Sequence, residues 1–339
     1  MSRLRALVRD AELARGILRR RPFNVLVQVT NRCNMRCSFC DFWPNGAAPR
    51  DELTVADYLA LSEALAGLGT FLVSIEGGEP FVRPDLVEIV RAFARHHLPV
   101  LFTNGWYVDA PAARALFGAG LVHASVSIDY PDAERHDRKR GLAGATERAW
   151  NAVEHFRAAA PRGGRQTHVM TVLTEDNYRD IESLLLQTRA RGVGHQITLL
   201  STNGYRRGQA GPDRLPPAAA ATRLEQLWRE HPHLGFFGDY FRRMGTFLEG
   251  GAMPACQAGV QSFNIDHVGN VSPCIERIDR VFGNIREDSL GAIHARMAAA
   301  VEESQRCQKC WTACRGFASA LGGGGSPSAW RDLVTRMRR

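Results

Sequence analysis

Between residues 24 and 200 six short β-rich runs alternate with longer helical patterns. This alternation constrains the fold more than any other feature. Residues 24–30 (NVLVQVT) read as a strand, and 54–69 as a helix with Thr54 as N-cap and Asp57 three residues on. A strand at 71–78 and a helix at 84–96 follow. Next come PVLFTNG, a helix near 110–117, VHASVSID, a helix near 144–159, THVMTVL, a helix near 178–191 and HQITLLS. Strands this continuously apolar are buried on both faces, so the pattern predicts an α/β fold with a parallel sheet wrapped by helices.

Folds of this kind place their chemistry where strands end and loops begin. Each unusual motif falls at such a point. Cys33, Cys37 and Cys40 follow the first strand, GGEP (77–80) the second, TNG (103–105) the third, and SID (127–129) closes the fourth. Beyond residue 200 the character changes. Residues 203–217 form a Gly/Pro/Arg-rich linker or loop, two helices follow, and SFNIDHVGNVSPC (262–274) reads as a β-hairpin turning at Gly269. LGAIHARMAAAVEE reads as one helix, and LGGGGSPS (321–328) as a flexible tether before a last short helix.

The chain has eight cysteines, three at 33–40 and five at 256–314. Without a secretory signal at MSRLRALVRD the expected compartment is the cytoplasm, where such cysteines do metal or redox work rather than form disulfides. Thiolates bind iron–sulfur clusters and zinc. Three thiols are one short of a tetrahedral set. They fit a cubane with one exposed iron, or a zinc knuckle completed by a distant residue.

No run of 18 apolar residues appears, so no membrane-spanning segment is expected. The net charge of +8 is carried by scattered arginines, with Lys139 and Lys309 the only lysines. Without interleaved aromatic platforms this is a solvated basic surface rather than a nucleic-acid site. The basic amphipathic ends, 3–21 and 330–339, read as helices packed on the parent domain or as peripheral contacts with anionic lipid.

CNMRCSFC (33–40), with Phe39 before the third cysteine, resembles the signature of the radical S-adenosylmethionine (SAM) superfamily, and the other rim motifs follow in family order. The resemblance covers residues 24–200. It implies a partial (β/α)6 TIM-like barrel, a 4Fe–4S cluster held by Cys33, Cys37 and Cys40, and SAM chelating the open iron. Gly77, Gly78 and Glu79 would hold the methionine amino group, Ser127 would contact SAM, and Asn104 shares the same rim. In HDRKRG (136–141), beside His136 and Asp137, Arg140 would bind the SAM carboxylate or a substrate, or form a structural ion pair. Asn177 is expected to face the cavity. Reductive cleavage of SAM would yield a 5′-deoxyadenosyl radical that abstracts a substrate hydrogen.

The distal cysteines read C-x12-G-x4-C (Cys256, Cys274) and C-x2-C-x3-C (Cys307, Cys310, Cys314), similar to the SPASM/twitch module of many such enzymes. This implies a small β-hairpin plus helix domain with one auxiliary 4Fe–4S cluster on Cys256, Cys274, Cys307 and Cys310. Cys314 is then a spare: an alternative ligand, a hydrogen donor or a bystander. Zinc on the same cysteines is the structural alternative.

The expected organisation is a basic N-terminal helix (1–23), the barrel (24–202), bridging helices (203–250), the cluster domain (251–316) and a tail (317–339). The expected activity is oxidation or C–H functionalisation of a small molecule, sugar or lipid, with an electron donor such as flavodoxin or ferredoxin. The alternatives are crosslinking or epimerisation of a peptide, or a non-catalytic iron–sulfur or zinc protein. The barrel pattern begins near residue 24, so no leader-binding winged-helix domain is expected before it. Tyr205, Arg206, Arg207, Tyr240, Phe241 and Arg242 are candidates to line an anionic or sugar pocket, with helical packing as the other explanation for Tyr240 and Phe241.

Overall fold

The computed structural model describes residues 3–161, 166–202, 204 and 213–337. Helix α1 (Arg3–Leu18) precedes six strands: β1 (Asn24–Thr30), β2 (Leu72–Gly77), β3 (Leu98–Thr103), β4 (His123–Ser127), β5 (Thr167–Leu173) and β6 (Gly194–Leu199). Between them run α2 (Val55–Leu68), α3 (Leu86–Phe93), α4 (Ala110–Ala119), α5 (Ala133–Arg140), α6 (Ala145–Ala159) and α7 (Ile181–Ala190). All six strands pair in parallel with their sequence neighbours. The sheet does not close, so this is the expected partial barrel. Its outward residues, such as Val25, Val27, Val73, Ile75 and Val126, are fully buried against the helices. The inward ones, such as Leu26, Ser74, Val100, Ser125 and His168, surround a lumen.

Local signals explain the helices. In α2 the Thr54 and Asp57 side chains reciprocate as a capping box, and Tyr58, Leu61 and Leu65 bury one face. In α3, Leu86, Ile89, Val90 and Phe93 form the apolar stripe.

The C-terminal part holds the expected hairpin and helices. After α8 (Ala220–Glu230) and α9 (Gly238–Leu248), β7 (Ser262–Ile265) pairs in parallel with β1, while β8 (Asn270–Ser272) and β9 (Gly283–Asn284) continue antiparallel. The hairpin extends the barrel sheet to nine strands in the order 6-5-4-3-2-1-7-8-9. Side chains seal the seam: Asn24 Nδ2 donates to Ser262 Oγ at 2.9 Å, and Gln28 Nε2 to Asn264 Oδ1 at 2.9 Å.

The helix expected from residue 290 onward is two, α10 (Leu290–Ala299) and α11 (Val301–Arg306), broken at Ala300. The expected tether is a folded corner between α12 (Ala313–Leu321) and α13 (Pro327–Asp332), where the Trp330 indole donates to Gly324 O at 2.8 Å and Leu321 is fully buried.

Both basic ends pack on the domain. Arg9 donates to Ala94 O at 2.7 Å and His97 O at 2.8 Å, and Arg336 lies 3.8 Å over the Trp228 ring. No described helix is long and apolar enough to cross a membrane.

Candidate functional site

The lumen holds a cavity of about 1020 Å³ that runs from the C-terminal rim of the strands to α1 at the opposite end. Cys33, Cys37, Phe39, Cys40, Gly77, Gly78, Asn104, Ser127, Arg140 and Cys314 all line it. Four rim motifs and the last distal cysteine thus converge on one space.

The cysteine loop is held from two sides. On one side, Gly78 N donates to Thr30 O at 2.7 Å and Glu79 N to Arg32 O at 2.9 Å. A Cβ at Gly77 would sit 2.2 Å from Thr30 O, and one at Gly78 2.1 Å from Arg32 O. Glycine is therefore needed for the end of β2 to lie against the stem of the loop. On the other side, Arg36 N and Ser38 N donate to the carbonyls of Arg140 and Lys139, the unsatisfied C-terminal groups of α5. Gly141 (φ 66°) permits that approach, since a Cβ there would sit 2.7 Å from Arg36 O.

Glu79 is held by the TNG turn. Its carboxylate is fully buried off the cavity wall, accepting from Thr103 Oγ1 at 2.7 Å, Asn104 N at 2.7 Å and Phe81 N at 3.0 Å. Burial pushes its pKa up to about 7 against these donors. What it reaches is the TNG turn. That turn in turn positions Asn104, whose Nδ2 donates to Asn34 Oδ1 at 2.8 Å and lies 3.9 Å from Cys33 Sγ.

Arg140 makes the structural ion pair. Its Nη2 is 2.6 Å from Asp129 Oδ2, its Nη1 is 3.8 Å from Cys37 Sγ, and its guanidinium lies over the Phe39 ring. Burial opposes the cation, and Asp129 and Cys37 more than offset it, leaving the Arg140 pKa above its ordinary value. The rest of the HDRKRG segment is scaffold. His136 Nδ1 accepts from Asp129 N, and Asp137 accepts from Gly144 N and Thr146 N at the start of α6. Asn177 does not face the cavity; it is buried, bridging Asp129 O, Val172 O and Thr174 N.

Burial raises the Cys33 thiol to about 12 and, despite Arg140, the Cys37 thiol to about 11. Among the described residues no three His, Cys, Asp or Glu side chains converge tightly enough to hold a single metal ion. A tetrahedral zinc would require every sulfur about 2.3 Å from one point. The loop thiols, with N–H donors from Asn104 and Arg140 facing two of the sulfurs, fit a larger multi-iron group.

Of the distal cysteines, Cys256, Cys274, Cys307 and Cys310 lie off the main cavity, and only Cys314 lines it. The thiol of Cys274 is held well above its ordinary pKa by burial, with Cys310, Cys256 and Cys314 within electrostatic reach. Cys314 packs with Cys40 around Leu26, Phe42 and Ile275, and its Sγ lies 3.0 Å from Thr312 Oγ1. The two cysteine sets therefore meet at Cys314. Tyr240 and Phe241 are core residues, Tyr240 stacking on Trp311 at 5.8 Å. Arg242 pairs with Asp239 on the surface of α9, and Tyr205, Arg206 and Arg207 lie outside the described residues.

Four positioning groups escape sequence reasoning. Asp129 orients Arg140, and Glu52 holds Thr30 and Arg32 at the loop stem. Buried Asp213 accepts from Ser38 Oγ at 2.7 Å and pairs with Lys139. Arg315 donates to Cys310 O at 2.9 Å and Pro254 O at 3.0 Å beside the distal cysteines. Only Asp129 carries a signal, its place in SID; Glu52 and Asp213 lie far in sequence from the groups they hold, and Arg315 joins nearby Cys310 to distant Pro254.

The model of the radical SAM superfamily matches residues 27–187, and that of an iron–sulfur cluster-binding domain, SPASM, matches 256–314. The mycofactocin maturase MftC of Mycobacterium ulcerans is 30% identical over 274 residues, 79% of this chain and 72% of its own. The PqqA peptide cyclase of Gluconobacter oxydans is 29% identical over 323 residues, 89% of this chain and 88% of its own. Among solved structures, Streptococcus suis SuiB bound to precursor peptide SuiA has a TM-score of 0.62 at 17% identity, over 84% of this chain and 67% of its own. The anSMEcpe structure with bound AdoMet has a TM-score of 0.65 at 17% identity, over 91% of this chain and 92% of its own.

Proposed function

Because the chain belongs to the radical SAM superfamily and ends in a SPASM-type iron–sulfur cluster-binding domain, we propose that it modifies a peptide. The observation that carries this reading is the match to a PqqA peptide cyclase over 88% of that protein's length, through barrel and cluster domain alike. MftC, with a maturase name, points the same way. Oxidation of a small molecule, sugar or lipid is the second reading: AdoMet-dependent heme synthases also match, but over less of the chain than the peptide cyclase does.

The enzyme uses SAM, a 4Fe–4S cluster and auxiliary iron–sulfur chemistry. When bound and reduced, the first cluster supplies the electron that splits SAM into methionine and a 5′-deoxyadenosyl radical. The chain's own residues bind and orient. Cys33, Cys37 and Cys40 would hold the cluster, and the cavity wall at Gly77, Gly78, Asn104 and Ser127 would receive SAM beside it. Glu79 would act by fixing Asn104 rather than by touching SAM. Arg140, fixed by Asp129, would stabilise the Cys37 thiolate.

Cys256, Cys274, Cys307 and Cys310 would hold one auxiliary cluster, which would supply a one-electron acceptor for a net oxidation. Cys314 supports a second outcome. A cavity-facing thiol that returns a hydrogen atom would turn the reaction into epimerisation.

The test uses anaerobically reconstituted protein with dithionite or reduced flavodoxin, SAM and the peptide encoded beside its gene. Formation of 5′-deoxyadenosine together with a peptide mass loss of hydrogen, or deuterium uptake without other mass change, is the expected result. 5′-Deoxyadenosine without peptide modification, but with oxidation of a small alcohol, would replace the peptide reading.

A further inference from the structure

On the outside of the barrel, between α1 and the C-terminal ends of α2, α3 and α4, lies a groove of about 820 Å³. Its floor carries almost no side chains: Gly16, Gly69, Gly118 and Gly120, with Ala66 and Ala94, form much of it. Added Cβ atoms at Gly16 and Gly118 would meet nothing within 4 Å, so both glycines open onto empty space. Arg15, Arg19, Arg21, Arg91 and Arg95 stand along it, against a single lining carboxylate, Glu12. Glu63 pairs with Arg95 at 3.5 Å and Glu88 with Arg91 at 3.4 Å; among the described residues no carboxylate pairs with Arg15, Arg19 or Arg21.

Arginines often neutralise helix C-termini, and several end here. That duty belongs to Arg9, which donates to the carbonyls of Ala94 and His97. Among the described residues none of the other five donates to a helix carbonyl at this end. They remain as a row of planar donors suited to carboxylates. The groove also adjoins the lumen, because Arg9 and Gly120 line both. Leu7, Val8 and Leu18 of α1 are exposed nearby, but a concave, Gly- and Ala-floored channel admits an extended chain where a flat membrane surface cannot enter.

We propose that this groove docks an acidic segment of the polypeptide substrate, outside the residues that react, next to the α1 end of the reaction cavity. The inference rests on the peptide reading above. Arginine–carboxylate pairing supplies orientation and capture rate, and salt weakens it.

The test is fluorescence anisotropy of a labelled deca-glutamate peptide with the full chain, without SAM. Arg15→Glu, Arg19→Glu and Arg91→Glu combined should weaken binding by about tenfold or more. Gly118→Phe, which fills the groove without changing its charge, should weaken it comparably. Arg306→Glu, on exposed α11, should leave it unchanged.

Equal affinity in the wild type and both groove variants overturns the proposal. So does displacement of the peptide by phosphatidylglycerol vesicles or by millimolar inorganic phosphate, which would make the groove a lipid or phosphate site. Because the assay reads binding alone, its failure with peptide modification intact removes only the groove. Groove-dependent binding without any peptide modification removes the peptide reading and, with it, the groove's role for a substrate, leaving only a site for acidic chains.

Discussion

At the scale of single residues, the site depends on close approaches that brace the cavity wall from behind. Gly78 is the sharpest case, because any side chain there must displace the Arg32 carbonyl that Glu79 N holds. Gly78→Ala is expected to cost about 1–3 kcal/mol of stability and to lower cluster occupancy. Thermal denaturation and the iron-to-protein ratio check this, and wild-type values for both would refute it. Glu79→Gln puts an amide NH2 where three donors already point, an expected loss of about 1–3 kcal/mol centred on the TNG turn. If Glu79 instead bound SAM directly, the variant would keep its stability and lose only SAM affinity, which equilibrium binding separates. Among the distal cysteines, Cys256→Ala with Cys274→Ala should remove about half of the protein-bound iron, as loss of one of two 4Fe–4S clusters requires. Reductive SAM cleavage should stay detectable, and unchanged iron would show that this pair holds no cluster.

At the scale of elements, α5 carries the site more than any strand does. Its sequence, AERHDRKR, has no apolar face, and only His136 and Arg140 are buried. Hydrophobic periodicity is therefore silent about it, and the segment reads as a motif-bearing loop. Asp132 caps it, and its last carbonyls hold the cysteine loop. The six strands and the helix starts were legible because each carries a local signal, as Thr54 and Asp57 do at α2. The seam of β1 with β7 was not, because Asn24 and Ser262 meet across 238 residues with nothing local to announce them. The rim motifs gave the cavity wall, while Asp213 and Glu52 stayed hidden for the same reason as the seam. The α5–α6 corner is testable on its own terms. Asp137→Ala removes the acceptor for Gly144 N, Thr146 N and Thr146 Oγ1, an expected cost of about 1–2 kcal/mol. The loss should appear in the urea midpoint and, because α5 braces the cysteine loop, in slower cluster reconstitution; normal reconstitution in a destabilised variant would uncouple the two.

At the scale of the whole molecule, the fold buries an unusual set of titratable groups around one sheet, and this fixes its response to acid. His97 is fully buried, its Nδ1 accepting from Phe71 N and its Nε2 facing Ser62 O at 2.9 Å, so the neutral ring is the one the fold accommodates. Burial lowers His97 and His136 to about 4, and His168 and His195 to about 3. Each is depressed below the unfolded value near 6.5, so the unfolded chain takes up the proton first. Their stabilisation is complete above pH 6.5 and is lost as pH falls towards 4. Glu79 acts in the opposite sense: raised to about 7, it favours the folded state as pH falls from 7 towards the ordinary carboxylate range. The buried histidines outnumber it, so stability falls with acid, by on the order of 1 kcal/mol per pH unit for each uncompensated histidine. His97→Gln isolates one of them. Glutamine keeps a donor and an acceptor but takes no proton, so its deficit against the wild type should shrink by on the order of 1 kcal/mol per unit between pH 6.5 and 5. Urea midpoints at pH 7.5, 6 and 5 measure that difference, and cluster contributions common to both proteins cancel. A deficit constant across the range would mean that His97 titrates normally in the folded chain.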